Sequence, residues 1–243
     1  MTTETRPGKV GPPEEPDDVG LASWSILEQL GRALRVPEAG LQATLDAIAR
    51  TAVETIAPAR YAGVNLYERG EFEPQAVVGQ PPLALDVVQQ KTGTGPCIDS
   101  SRDQITVRVD DMTTEGRWPE YAEHALSLGV ASMLCVPLTV HDQQFGSVSL
   151  YATHRFAFSL KDEYIARLFA TQAALALAEA HRAGQLRQAL ANRDIIGQAK
   201  GILMERHRIT ADEAFAALAE RSQQVNRKLK DVARRLAETG TLD

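Results

Sequence analysis

The chain is poor in cysteine and has no long apolar run. Two cysteines in 243 residues, Cys97 and Cys135, cannot build a disulfide framework, which points to a reducing, cytoplasmic setting. No stretch approaches the roughly 18 consecutive apolar residues that cross a bilayer, so no membrane partner is expected. The segment 1–20 has no apolar h-region and does not read as a signal peptide; its prolines, glycines and acids predict a disordered tail. The five histidines, His124, His141, His154, His181 and His207, show no i, i+4 pair with a third donor nearby, so no metal site is expected. The loop Thr92-Gly-Thr-Gly-Pro-Cys97 is followed by no Lys-Ser/Thr and is not a phosphate-binding P-loop. No kinase or phosphodiesterase motif occurs, and the chain is read as a non-enzyme.

What is present is uneven in charge. The segment 185–239 holds 11 Lys/Arg against 7 Asp/Glu, a net of +4, while the whole chain is −6 and the remainder therefore −10. A small basic unit behind an acidic domain suggests an output module that meets a polyanion, with a solvated helical bundle as the plainer reading. With 44% hydrophobic residues, there is room for one domain of about 150 residues plus this small unit.

The basic unit reads as three short amphipathic helices. In the first, Ile196, Ala199 and Leu203, flanked by Ile195 and Ile202, form an inward stripe bordered by Lys200. The second opens on the capping box Thr210-Ala-Asp-Glu213 and is expected to bury Ala214, Phe215 and Leu218. The third is expected to start at Asn226 as N-cap, to turn Leu229, Val232, Ala233 and Leu236 inward, and to stop at Gly240. Arg227, Lys228 and Lys230 crowd its first turn, where the macrodipole prefers acids. A phosphate docked there would turn that small cost into a gain.

Ile196-Gly-Gln-Ala-Lys200-Gly-Ile-Leu-Met204-x-Arg206, then Glu213-Ala214-Phe215, Ser222-Gln223 and Asn226-Arg-Lys-Leu229-x-Asp231-Val232-Ala233, resembles the ANTAR domain through all three helices. The resemblance implies an RNA-binding antiterminator that grips stem-loops in a nascent leader transcript. Carried over by position, the RNA-contacting set is Lys200, Arg206, Ser222, Asn226, Arg227 and Lys228. The sequence departs from the family at His207-Arg208-Ile209, a turn without glycine.

Upstream, Leu21–Val36 and Glu38–Ala57 read as helices separated by Pro37, and Tyr61–Tyr67 and Phe72–Val78 as strands. A helix over 83–91, a strand over 105–109, a helix over 120–128, strands over 132–140 and 145–152, and a long helix from near Ser159 through Ala180 follow. The pattern predicts an α+β domain, an antiparallel sheet backed by helices, followed by a small all-α three-helix bundle. Gly93-x-Gly95-Pro96-Cys97, Arg117-Trp118-Pro119, Gly129-Val130-x-Ser132, Pro137-Leu138 and Gly146-x-Val-x-Leu150-Tyr151 resemble a GAF domain over roughly 38–182. Phe158-x3-Asp162-Glu163 matches one half of a cyclic-nucleotide signature, but Ala152-Thr153 stands where the Asn-Lys half belongs. The resemblance implies a pocket for a small molecule of unidentified chemistry. Cys97, at the start of a helix where the dipole favours a thiolate, is a candidate sensor residue against the commoner fate of a packed thiol; Cys135 reads as packing.

The resulting organisation is a disordered tail over 1–20, a helix over 21–37, a GAF-like sensor over 38–182 and an ANTAR RNA-binding domain over 183–240. Ile165, Leu168, Phe169, Leu175, Leu186 and Leu190 recur at helical spacing, so the central helix either docks on the sheet or pairs two subunits into a homodimer. The expected function is a cytoplasmic sensor–effector in which the GAF domain controls binding to two-hairpin leader RNA and transcription antitermination. The alternative is a DNA-binding regulator whose last helix enters the major groove.

Overall fold

The computed structural model describes residues 40–68, 70–140 and 143–242; the expected tail over 1–20 and helix over 21–37 lie outside the described residues. The chain divides into two compact units between Ala180 and His181.

The first unit is built on a five-stranded antiparallel sheet. Helix α1 (Gly40–Thr55) leads into β1 (Tyr61–Glu68) and β2 (Glu71–Val78), then α2 (Pro81–Thr92), α3 (Pro96–Asp103), β3 (Val107–Val109), a 3-10 turn (Met112–Thr114), α4 (Pro119–Ser127), β4 (Ser132–Val140), β5 (Gln143–Ala152) and α5 (Leu160–His207). Strand order is β2-β1-β5-β4-β3. Alternation sends even-numbered side chains of β1, β4 and β5 to one face and odd-numbered ones to the other. On the even face Val64, Val136, Val148 and Leu150 pack with Leu45 and Ile48 of α1 and Phe169, Ala173 and Leu177 of α5. On the odd face Met133, Cys135 and Tyr151 pack with Leu85 of α2, Cys97 and Ile98 of α3 and Tyr121 of α4. β1 and β5 come together at Gly146 (φ +146°), where a Cβ would lie 1.9 Å from the Asn65 carbonyl oxygen.

Two elements differ from the sequence expectation. The strand expected over 105–109 is only Val107–Val109, because Gln104 takes left-handed backbone (φ 56°) and the Ser100 hydroxyl donates to the Ile105 carbonyl at 2.8 Å, removing that oxygen from the ladder. The long helix does not stop near Ala180; α5 continues to His207, 48 residues in all. Between Ala180 and Asn192 there is no proline and one glycine, and the Ala, Leu, Gln and Arg that fill the stretch are good helix formers.

The second unit comprises the end of α5, α6 (Ala211–Gln224) and α7 (Leu229–Thr239), so the first of the three expected short helices is the terminus of a long one. Its core is Ala199, Leu203, Ala214, Leu218, Val232, Ala233 and Leu236. The Thr210–Glu213 capping box forms in both directions, and α7 ends at Gly240 in left-handed backbone (φ 71°). Phe215, expected inside, is 44% exposed: the inward stripe is Ala214 and Leu218, and one residue's 100° turn carries the ring off it. Asn226, expected as the N-cap of α7, instead holds the left-handed position (φ 48°) that reverses the chain after α6; the cap is Lys228, which makes no side-chain capping bond. Asparagine suits such backbone; at the glycine-free turn before α6 the left-handed position is held by Arg208 (φ 56°).

Candidate nucleic-acid interface and sensor interior

The six residues carried over as RNA-contacting do not form one patch. Ser222, Asn226, Arg227 and Lys228 share the turn between α6 and α7. There the Ser222 hydroxyl donates to the Arg227 carbonyl at 2.5 Å and the Arg227 N–H returns a bond to the Ser222 carbonyl at 3.1 Å. Ser222 is thus a turn clamp, and the turn holds Arg227 and Lys228 exposed at the N-terminus of α7. Arg206 lies at the other end of the bundle, where its guanidinium donates to the Gly240 carbonyl and ties the end of α5 to the end of α7. A cation against terminal carbonyls is favourably placed, which gives Arg206 a structural job. Lys200 is half-buried on α5, with its ammonium 5.9 Å from the centroid of the Phe215 ring. Among the described residues, Arg193, Lys200, Arg227 and Lys228 have no carboxylate partner within salt-bridge distance. The basic end of α7 therefore keeps its charge free for an anion.

The odd face of the sheet in the first unit carries a buried polar group that the sequence reading did not single out. Asn65 of β1, Asp86 and Gln89 of α2, Ser100 and Ser101 of α3, and Ser147 and Ser149 of β5 are all fully buried. Gln89 donates to Asp86 at 3.4 Å and accepts the Cys97 N–H at 2.9 Å, which ties the start of α3 to α2. Gly95 lets it approach, since a Cβ there would sit 2.3 Å from the Gln89 amide oxygen. The Ser149 hydroxyl lies 3.0 Å from the Cys97 Sγ and 3.2 Å from the Cys135 Sγ. Both amide atoms of Asn65, the Asp86 Oδ2 and the Ser101 hydroxyl have no hydrogen-bond partner among the described residues. Burial pushes the Asp86 carboxyl up to about 8; Asn65 lies near enough to oppose this somewhat, without a bond of ordinary geometry. Asp86 is thus a neutral acid at pH 7. A cavity of about 470 Å³ lined by Tyr67, Phe72, Gln89, Ile98 and Arg102 opens on the same side, and Gln89 belongs to both.

Cys97 occupies the second position of α3 as expected, but it is fully buried, and burial pushes its thiol well up, away from the thiolate that reacts. Cys135 is buried in β4. Two signals could have found the interior. Asp86 sits at the inward phase of the apolar run Leu83-Ala-Leu-Asp-Val-Val88, and Asn65 at an inward position of β1.

A helix-covered antiparallel sheet with a polar interior, continued by one long helix into a basic helical bundle, defines a sensor joined to an output module. The chain belongs to the GAF domain family, whose profile matches residues 38–178, and it carries an ANTAR domain over 184–236. This is the make-up of a sensor–effector regulator with an RNA-binding ANTAR domain. Among solved structures, the chain is similar to the free methionine-R-sulfoxide reductase of Neisseria meningitidis in complex with its substrate, at 19% identity over 70% of this chain and 96% of that one, with a TM-score of 0.53. It is also similar to the GAF domain of a phosphoenolpyruvate-protein phosphotransferase from Coxiella burnetii, at 18% identity over 68% of this chain and 98% of that one, with a TM-score of 0.51. The corresponding Acinetobacter domain shares 14% identity over 70% and 99% of the two chains, with a TM-score of 0.51. At these identities the likeness shows the fold alone. The comparison with curated proteins found no match. No helix among the described residues is long and apolar enough to cross a membrane.

Proposed function

We propose that this protein is a cytoplasmic, non-enzymatic regulator whose ANTAR domain binds paired stem-loops in nascent leader RNA and promotes transcription antitermination under control of the GAF domain. The observation that carries the reading is the turn Ser222–Lys228. It presents Arg227 and Lys228, without carboxylate partners among the described residues, at the N-terminus of α7, in the domain that matches the ANTAR profile. Free backbone N–H groups and two cations at one helix end suit a phosphate backbone.

The GAF input is a small molecule received at the odd face of the sheet, where the unsatisfied groups of Asn65 and Asp86 await a partner. Its signal travels along α5, which gives Phe169 and Leu177 to the sensor core and Ala199 and Leu203 to the output core. Two copies pair along α5: Leu186 and Leu190, one helical turn apart, are 62% and 51% exposed and would gain burial from the same face of a second molecule. A homodimer presents two output domains to a two-hairpin RNA.

The test is competition binding of the full chain to a two-hairpin RNA and to duplex DNA, with read-through of a terminator placed behind the RNA, and mass by light scattering. The expected result is preference for the RNA, read-through that rises with protein, and about twice the 26.5 kDa chain mass. Preference for duplex DNA would favour a major-groove regulator instead.

A further inference from the structure

Helix α6 breaks its own pattern at one position. Ala214 is fully buried, yet the next residue, Phe215, is 44% exposed, and a large apolar ring left in water forgoes the gain that burial would give it. The ring is not isolated. It closes one end of an open groove of about 800 Å³ whose other walls are Asn192, Arg193, Gly197, Gln198 and Lys200 of α5. That volume is on the scale of small-molecule sites, roughly 300–1,000 Å³. At Gly197 nothing lies within 4 Å of where a Cβ would stand, so the helix backbone is bare and a flat ring can come close. Lys200 stands at the ring and Arg193 further along; neither has a carboxylate partner among the described residues, and Asp194 is the one acid in the lining.

We infer that this groove takes one unpaired base of the bound RNA, stacked on the face of Phe215, with Lys200 and Arg193 on the flanking phosphates and Asn192 and Gln198 facing its edge. The inference rests on the RNA-binding reading above and adds to it a site outside the basic turn. An exposed aromatic at one end of a groove that carries two cations matches the π-face and the charge that every nucleotide carries. An apolar protein segment would leave both cations facing nothing. The placement also fits one ligand reaching both sites. Phe215 lies against Lys200 and Ala214 shares a core with Leu203, both upstream of the turn that ends α5, so α6 runs back alongside α5. The seven residues from Phe215 to Ser222 span about 10 Å at 1.5 Å per residue, and they lead from the groove toward the turn that carries Arg227 and Lys228.

The experiment measures binding of the full chain, and of its Phe215→Ala, Phe215→Leu and Phe215→Tyr variants, to a two-hairpin RNA and to a series in which each loop nucleotide in turn is replaced by an abasic unit. Phe215→Tyr keeps the ring and binds as wild type does; Phe215→Leu keeps apolar bulk without a ring. Expected is a loss of roughly 10-fold for the Ala and Leu variants on the intact RNA, and no further loss on the one abasic RNA that removes the stacked base. Unchanged binding by Phe215→Leu, or a loss that adds equally to every abasic position, overturns the stacking site. A Phe215→Ala variant that becomes monomeric assigns the ring to a contact between copies and also overturns it. If the wild-type chain binds none of these RNAs, the proposed function fails first. Wild-type binding that ignores Phe215 sinks the stacking site alone.

Discussion

The two units place their polar and apolar groups in opposite ways. In the sensor, an acid, an amide and a row of serines lie inside, with several of their atoms unsatisfied. In the output unit the core cluster is aliphatic, with the Arg221 Nε as its one buried unsatisfied polar atom among the described residues, and Arg227, Lys228 and the Phe215 ring stand outside. A buried polar group without a partner costs free energy that a well-packed apolar core would avoid. A sensor that admits a small ligand must keep such groups ready; a module that meets a large polyanion needs only a rigid core and a free surface. The contrast separates recognition by an interior from recognition by a face.

The comparison breaks most sharply at Gly146, where the sensor sheet closes. Gly146→Ala puts a methyl within 1.9 Å of the Asn65 carbonyl oxygen, and the expected cost is on the order of 3 kcal/mol or more. Circular dichroism melting should show the first unit unfolding early while the helical signal of 181–243 persists; a variant with wild-type melting would show that β1 and β5 are not locked there.

The second largest effect is expected at Asp86. Its carboxyl titrates at about 8 in the folded chain against an ordinary value of 3.8, so between those limits the folded state holds a proton that the unfolded state has released. Stability therefore falls as pH rises from about 4 to about 8 and levels above that, the slope between those limits being about 1.4 kcal/mol for each pH step of one. Asp86→Asn, a neutral isostere of the protonated acid, should flatten this slope and raise the melting temperature at pH 8. Urea titrations at pH 5 and pH 8 decide it, and equal slopes for variant and wild type would remove Asp86 from the account.

Smaller effects are expected on the outer face. Lys200→Ala and Lys228→Ala should each weaken RNA binding and reduce the slope of log affinity against log salt by roughly 0.7–0.9 for every phosphate left without its cation. Stability should stay within about 0.5 kcal/mol for the exposed Lys228. Arg206→Ala should differ in kind, lowering the melting temperature of the bundle because it unties α5 from the Gly240 carbonyl. The smallest effect belongs to Cys97. Cys97→Ser should leave RNA binding unchanged before and after peroxide treatment, and the native thiol should resist alkylation; rapid labelling of Cys97 in the folded chain would reinstate it as a sensor.

Much of this architecture is legible along the chain. Alternation in Tyr61–Tyr67, the capping box at Thr210 and the stop at Gly240 are local signals, and each appears in the fold as read. The illegible parts depend on choices between neighbours. Phe215 and Ala214 are both apolar and adjacent, and only the orientation of α6 on Leu203 and Val232 decides which turns in. Asn226 and Lys228 are both plausible starts for α7; the clamp from Ser222 to Arg227 settles the matter. The phase of Asp86 on its helix marks it as inward, but an acid at an inward position reads as a polar break until the fold shows that it is fully buried beside the thiols of distant segments.

The sequence by itself determined the order of helices and strands, the division into an acidic sensor and a basic output module, and the family of each, because hydrophobic period, caps and charge are properties of contiguous residues. The tertiary structure alone decided which groups were buried and which were left on the surface. It buried Asp86 and Asn65 from distant segments in one interior, turned Phe215 outward beside Lys200, committed Arg206 to the end of α7 and carried α5 through both cores. Those outcomes arise from packing between elements far apart in the chain, where the same residue gains or loses its solvent according to what is set against it.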